Sequence, residues 1–352
     1  MKEAELYVAV EQSRVKCTAC ARYCQLAEGQ IGLCGIRQNI GGKLQLLSYG
    51  KLFTGHVDPI EKKPVSHYHP GTKIFSVATS GCNWLCKYCQ NYEISQRRKI
   101  EGFDLKPIDV PRLASSQGCQ GIAYTYNEPT IFIEYARDIG VEAHKRGIFN
   151  VFVSNGFATP ETVKMMSQFL DCITVDFKGS GETSFVRKYI GVPSSEPIFQ
   201  TLLEIKQRTK IHVEITDLIV PGVGDDLGQA RRLARWINDN LSPNTPVHFL
   251  RFHPDYKMTE FPPTPIETLV EHHKVAKEEG LNYVYLGNVP GHPLEHTYCH
   301  GCGAIVVERY GFDINSWQLD ENNRCKRCGE RIPIEGGLAA TVAENRFHQA
   351  YF

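Results

Sequence analysis

The sequence predicts an α/β protein. A mostly parallel sheet, open or closed into a partial barrel, sits between two small cysteine-bearing modules. Three observations predict this. A strand–helix alternation runs over about 72–290. Eleven of the thirteen cysteines fall into three tight clusters, leaving Cys119 and Cys172 alone. The 352-residue length suits about two domains, or one large α/β domain with appendages. Basic and acidic side chains cancel at 39 each, which disfavours nucleic acid as the default partner. No apolar stretch reaches the roughly 18 residues that cross a bilayer, so no membrane partner is expected. The opening MKEAELYVAVEQSRVKCTAC carries no apolar signal core, which predicts a cytoplasmic protein. In that setting clustered cysteines read as metal ligands rather than disulfides.

Taken in order, residues 1–60 form an amino-terminal cysteine-rich module with little periodicity, although LQLLSYG could be a strand. Residues 61–290 form the core, entered by the Pro/Gly/His loop KKPVSHYHPGT. Its strands are expected at 73–79, 121–125, 150–154, 171–176, 211–219, 246–252 and 281–286. Helices fill the gaps. One is expected over 130–146, and one begins at Thr159-Pro160 with threonine as cap and proline at the first helical position. Others are expected at 227–239 and 266–278, the last entered by Thr264-Pro265 with Ile266, Leu269 and Val270 on one face. Six or seven strands fall short of the eight of a full barrel, and ligands are expected at the carboxyl ends of the strands. Residues 291–352 hold the last four cysteines as a zinc-ribbon-like module.

The sharpest signal follows the first core strand: Ser80-Gly81-Cys82-Asn83-Trp84-Leu85-Cys86-Lys87-Tyr88-Cys89-Gln90-Asn91. Three thiolates at C-x3-C-x2-C spacing are one short of a closed tetrahedral site. A 4Fe-4S cube held by three cysteines keeps one iron open for another ligand. Zinc with a distant fourth ligand is the plainer alternative.

This loop resembles the cluster motif of the radical S-adenosylmethionine (radical SAM) superfamily, including the aromatic Tyr88 before the third cysteine. Asp58-Pro-Ile-Glu-Lys-Lys-Pro64, His67 and Pro70-Gly71 resemble the glycyl-radical-enzyme-activase-like branch. With the amino-terminal cysteines and Arg251-Phe-His-Pro-Asp-Tyr256, nearly the whole chain is similar to AmmeMemoRadiSam system radical SAM enzymes, homologues of pyruvate formate-lyase activating enzyme. The resemblance implies a partial (β/α)6-type TIM barrel and an oxidoreductase using iron–sulfur and S-adenosyl-L-methionine. Cys82, Cys86 and Cys89 would hold three irons and S-adenosylmethionine would chelate the fourth. Reductive cleavage would give a 5′-deoxyadenosyl radical that abstracts hydrogen from a substrate. An electron donor such as ferredoxin or flavodoxin is implied, and the substrate is a protein or a small molecule.

Strand ends offer the remaining candidates. Glu128, in Thr125-Tyr126-Asn127-Glu128-Pro129-Thr130, can accept from a protonated amine or cap a helix start. The resembling family uses an acid here for the methionine amino group, but Tyr126-Asn127 stands where its glycines would be. Ser154 and Asn155, before Gly156, can hydrogen-bond a ribose or carboxylate, or simply make a turn. Asp176 and Lys178 match the Asp-x-Lys pattern that lies near the cofactor in the activase branch; an ordinary rim ion pair is the alternative. Gly222 and Gly224 suggest a tight loop. Arg251 is a candidate for substrate or cofactor carboxylate, while His253 ranks low as a proton donor. Tyr88 would lie near the adenine.

The flanking clusters differ. Cys299, Cys302, Cys325 and Cys328 make two CxxC knuckles, each followed by glycine, as in a closed zinc site; rubredoxin-like iron is the alternative. Cys17, Cys20, Cys24 and Cys34 have a less standard spacing and suit structural zinc or an auxiliary iron–sulfur cluster, with zinc slightly favoured. Three functions follow from these readings: activation of a glycyl-radical enzyme, radical modification of a small molecule, peptide or RNA, and non-catalytic zinc-dependent nucleic-acid binding.

Overall fold

The computed structural model describes residues 1–340 and 346–350. The expected carboxyl-terminal span 291–352 therefore includes 341–345 and 351–352, which lie outside the described residues. At its centre is a nine-stranded sheet. Strand β1 (Thr54–Pro59) runs antiparallel to β2 (Lys73–Ala78). From β2 the sheet continues through β3 (Gly121–Tyr124), β4 (Phe149–Ser154), β5 (Cys172–Lys178), β6 (His212–Ile219), β7 (Val247–Arg251) and β8 (Val284–Gly287). Every neighbouring pair from β2 to β8 is parallel. A short β9 (His348–Gln349) pairs antiparallel with β1 and covers that edge. This is the partial α/β barrel that the sequence predicts.

Two strands depart from expectation. Thr54–Pro59 lies within the span read as the amino-terminal module, yet its backbone pairs with the core sheet. Its polar, proline-ended sequence hides a strand that is buried from Val57 to Pro59. The last core strand begins at Val284, although Tyr283 O already accepts from Val247 N at 3.0 Å.

Crossover helices cover the sheet. They are α1 (Asp109–Ser116), α2 (Ile133–His144), α3 (Pro160–Met166), α4 (Glu196–Arg208), α5 (Leu227–Asn240) and α6 (Ile266–Glu278). The Thr159 hydroxyl accepts from Thr162 N at 3.2 Å, as the Thr-Pro signal predicts. Thr264 instead turns inward: its hydroxyl donates to Ile219 O at 2.6 Å and accepts from Phe252 N at 2.9 Å, tying β6 to the loop after β7. Gly140 lets α2 approach α3's end closely, since a Cβ there would lie 2.3 Å from the Phe169 ring.

A buried carboxylate closes the barrel floor. Glu214 on β6 accepts from Ser66 N, His67 N and the His248 ring at 2.7–3.0 Å. His67 Nε2 meets the Tyr285 hydroxyl at 2.6 Å. Tyr285 also joins Thr297, which takes a 2.6 Å bond from Arg309 in the carboxyl-terminal three-stranded sheet. The amino-terminal residues fold into two three-stranded sheets. They are fastened to the core by the buried Arg37–Glu134 ion pair and by Thr159 and Thr162 hydroxyls donating to Thr18 O and Ala19 O. No helix among the described residues is long and apolar enough to cross a membrane.

Candidate active site at the carboxyl ends of the strands

The loop after β2 lies across the carboxyl end of the sheet, and four backbone bonds to three segments hold it. Gly81 N donates to Ile94 O at 2.9 Å, Leu85 N to Ile190 O at 3.0 Å, Lys87 N to Tyr189 O at 2.9 Å, and Lys87 O accepts from Lys257 N at 2.8 Å. Asn127 clamps the loop's root: Nδ2 donates to Thr79 O at 2.7 Å and to Gly81 O at 2.9 Å. Gly81 has φ +88°, and a Cβ there would stand 2.2 Å from Cys34 O, so the loop packs directly on the amino-terminal module.

Cys82, Cys86 and Cys89 from this loop line one cavity of about 260 Å³. Tyr88, Glu128, Asn155, Asp176, Lys178 and Arg251 line the same cavity. Ser154 does not; its hydroxyl donates to Glu128 at 2.9 Å behind the wall. The cavity also takes in residues that the sequence did not single out for the site: Gln90, Ser95, Gln96, Leu218, Leu250 and Phe252. Ser95 is the informative one, because its hydroxyl shares a 3.1 Å hydrogen bond with Cys89 Sγ. Six residues separate the two on one short loop-and-helix unit, a proximity that could have flagged it.

Cys82 is buried and Cys86 and Cys89 are half-buried. Burial pushes Cys86 up to about 12, and it raises Cys82 well above and Cys89 above the ordinary thiol value. Three such thiols converging on one cavity, one buried and two half-buried, are costly to ionise without a cation and fit a cationic centre. The Tyr88 hydroxyl abuts Cys86, and its ring lies among Phe185 and Phe252, with centroids 6.0 and 6.3 Å away.

Glu128 does more than line the cavity. Its Oε1 accepts from Thr130 N at 3.0 Å, the Thr130 hydroxyl and Ser154, while Oε2 accepts from Asn155 N at 2.7 Å. The cap reading and the pocket reading therefore both describe it: it caps the turn at Pro129–Phe132 and fastens the ends of β3 and β4 together. Burial raises its carboxyl above the ordinary value despite these donors. Asn155 is occupied structurally, with Nδ2 on Asn83 Oδ1 at 2.8 Å and Oδ1 taken by Phe157 N at 3.0 Å. Lys178 and Asp176 form a 3.1 Å pair, and Asp176 is also held by the Thr216 hydroxyl. Arg251 Nε donates to Thr264 O at 2.9 Å, fixing the side chain at the cavity mouth.

The flanking cysteines make two different constellations. Sγ atoms of Cys299, Cys302, Cys325 and Cys328 all lie within 4.8 Å of one another, with Cys299–Cys328 at 3.5 Å and Cys302–Cys325 at 3.8 Å. Tetrahedral zinc–sulfur bonds of about 2.3 Å separate ligand sulfurs by about 3.8 Å, so one ion fits there. Burial disfavours the Cys325 thiolate, but backbone N–H groups of Cys328 and Arg327 outweigh it and bring that thiol to about 7. Cys17, Cys20, Cys24 and Cys34 line a separate cavity with Arg22, Arg37 and Asn83.

Residues 76–237 match the family model of the radical SAM superfamily. An uncharacterized protein of Methanocaldococcus jannaschii is 42% identical over 337 residues, covering 95% of this chain and 99% of its own length. A domain of pyruvate-formate lyase-activating enzyme from Bacteroides vulgatus is 18% identical, covering 48% of this chain and 99% of that one, with TM-score 0.41. A radical SAM methyltransferase from Sphaerobacter thermophilus is 15% identical, covering 62% and 67%, with TM-score 0.49. The loop of Cys82, Cys86 and Cys89 lies inside the matched span, and the chain is an enzyme of the radical SAM superfamily.

Proposed function

We propose that Cys82, Cys86 and Cys89 hold a 4Fe-4S cluster, that S-adenosylmethionine occupies the cavity above it, and that the enzyme abstracts hydrogen from a substrate admitted at the strand ends. The observation that carries this reading is the convergence of the three thiols with Glu128, Asp176, Lys178 and Arg251 on one cavity. When bound, the cluster supplies the electron that cleaves the sulfonium bond to give methionine and a 5′-deoxyadenosyl radical. The protein's part is orientation. Glu128 Oε2 accepts a single bond in the structure, leaving a lone pair for a protonated amine. Lys178 and the terminal nitrogens of Arg251 are the donors for carboxylate, of cofactor or substrate. Tyr88 and Phe252 give the cavity an apolar wall that excludes water beside the adenine.

The resemblance to the activase-like branch supports a glycyl-radical protein as the substrate; modification of a small molecule, peptide or RNA is the competing outcome. Incubation of the reduced, S-adenosylmethionine-loaded enzyme with a glycyl-radical-type protein tests this. A glycine-centred doublet in the paramagnetic resonance spectrum of that protein supports activation. Cofactor consumption with a mass change on another substrate and no protein radical contradicts it. A ferredoxin- or flavodoxin-like donor serves as reductant in either case, and zinc at Cys299, Cys302, Cys325 and Cys328 is proposed as structural.

A further inference from the structure

We infer that Ser95 and Gln96 form a hydrogen-bond relay that ends on Cys89 Sγ and raises the reduction potential of the cluster that Cys89 holds. That Cys89 holds a cluster rests on the proposed function. The Ser95 hydroxyl and Cys89 Sγ lie 3.1 Å apart, and Ser95 is 1% exposed. The sulfur of a metal-bound cysteine carries no proton and can only accept. Once Cys89 is a ligand, the hydroxyl is therefore the donor of this bond.

The hydroxyl's other neighbour favours the same direction. Gln96 Nε2 donates to Trp84 O at 3.2 Å, a carbonyl that can only accept, so the amide nitrogen faces this way. Its second hydrogen goes to Ser95 Oγ at 3.1 Å. Ser95 thus accepts from Gln96 and keeps its own proton for Cys89, and each bond in such a chain polarises the next. The backbone is fixed as well. Ser95 N donates to Asn91 O at 2.9 Å and Gln96 N to Tyr92 O at 2.8 Å, closing the single helical turn Tyr92–Ser95. The Tyr92 ring stacks on Tyr256 with centroids 4.7 Å apart. Gly81 N, one residue before Cys82, donates to Ile94 O at 2.9 Å, which ties the turn to the root of the cysteine loop.

The loop thiols are not served alike. Cys82 Sγ meets Trp84 N at 3.5 Å, a main-chain donor, whereas Cys89 meets a side-chain hydroxyl. One-electron reduction adds negative charge to a cluster, and part of it resides on the ligand sulfurs. A hydrogen bond to such a sulfur stabilises the reduced form more than the oxidised one and so raises the potential. Burial works the other way, because it penalises the form of greater charge. The relay offsets that penalty at Cys89. Ser95 acts through Cys89 and Gln96 through Ser95, so both are positioning residues.

A potentiometric titration followed by paramagnetic resonance tests the relay, on the anaerobically reconstituted full chain without S-adenosylmethionine. The signal of the loop cluster is the one absent from the Cys82→Ala/Cys86→Ala/Cys89→Ala protein. Ser95→Ala should lower its midpoint, cutting the ratio of reduced to oxidised cluster at a fixed potential about tenfold, which is about 59 mV for one electron. Gln96→Met should lower it by less. Ser95→Ala/Gln96→Met should match Ser95→Ala, because Gln96 acts through the hydroxyl. In deuterated water the reduced wild type should show a coupled exchangeable deuteron that Ser95→Ala lacks. An unchanged midpoint in Ser95→Ala, with iron and sulfide equal to wild type, overturns the inference. Additive shifts in the double variant overturn the part given to Gln96. If Ser95→Ala loads no cluster, Gln96→Met, which leaves the hydroxyl in place, decides by the same titration. A wild-type chain without the loop signal refutes the proposed function instead, so the two readings fail separately.

Discussion

Asn127→Ala removes the clamp at the root of the cysteine loop. Asn127 Nδ2 donates to two main-chain carbonyls, Thr79 O at 2.7 Å and Gly81 O at 2.9 Å. Thr79 and Asn127 are both buried, so water does not readily replace the lost donor. An orphaned buried acceptor costs about 1–3 kcal/mol, so two predict a loss of about 2–6 kcal/mol. That is a large share of the roughly 5–15 kcal/mol of a typical domain. Asn127→Asp should be worse near neutral pH, because a carboxylate then faces two carbonyl oxygens. Urea unfolding under anaerobic conditions measures the stability, and the rate of iron loss on dilution reports the loop. A loss below about 0.5 kcal/mol for alanine, with unchanged iron retention, would refute the clamp.

Other perturbations follow the same physics. Arg37→Met leaves the Glu134 carboxylate buried without its partner and should cost about 3–5 kcal/mol, while Arg37→Met/Glu134→Leu should recover most of it in the same unfolding experiment. Loading iron and sulfide at pH 8 should release about three protons from Cys82, Cys86 and Cys89, since burial keeps their thiols protonated beforehand; an indicator in weak buffer reads this. Stability should also narrow at both ends of the pH range because of the barrel floor. Burial opposes charge on His212, but its bonds to Glu214 and Glu335 prevail and raise it to about 9. Its contribution is complete below the ordinary value of 6.5 and fades as pH rises through about 9. Glu214 is held well below 4.5, where bonds from His212 and His248 outweigh burial, so its contribution is present above 4.5 and is lost as pH falls toward the depressed value. Glu214→Gln should flatten both limbs in a pH series of melting curves.

Much of this was legible in the sequence because it was local. Strands such as Cys172–Lys178 announce themselves by short apolar runs between polar ends, and the Cys82 loop sits within eight residues of its own strand. The missing parts depend on neighbours distant in sequence. Glu128 reaches Ser154 and Asn155 only because β3 and β4 are adjacent and parallel. Glu214 reads as an ordinary strand residue until Ser66, His67 and His248 surround it. Thr264 precedes a helix in the expected manner, but its hydroxyl turns inward to the carbonyl of Ile219. Asn83 and Arg22 carried no signal at all, being 61 residues apart and joined only by the packing of the amino-terminal module on the loop.

The central claim is reductive cleavage of S-adenosylmethionine at the three-cysteine site. Its most direct test is quantification of 5′-deoxyadenosine from the anaerobically reconstituted enzyme with dithionite and S-adenosylmethionine. The account predicts 5′-deoxyadenosine from the wild type and none above background from Cys86→Ala with its carboxyl-terminal metal intact. No 5′-deoxyadenosine from a fully loaded wild-type enzyme, or equal formation by the variant, would contradict it.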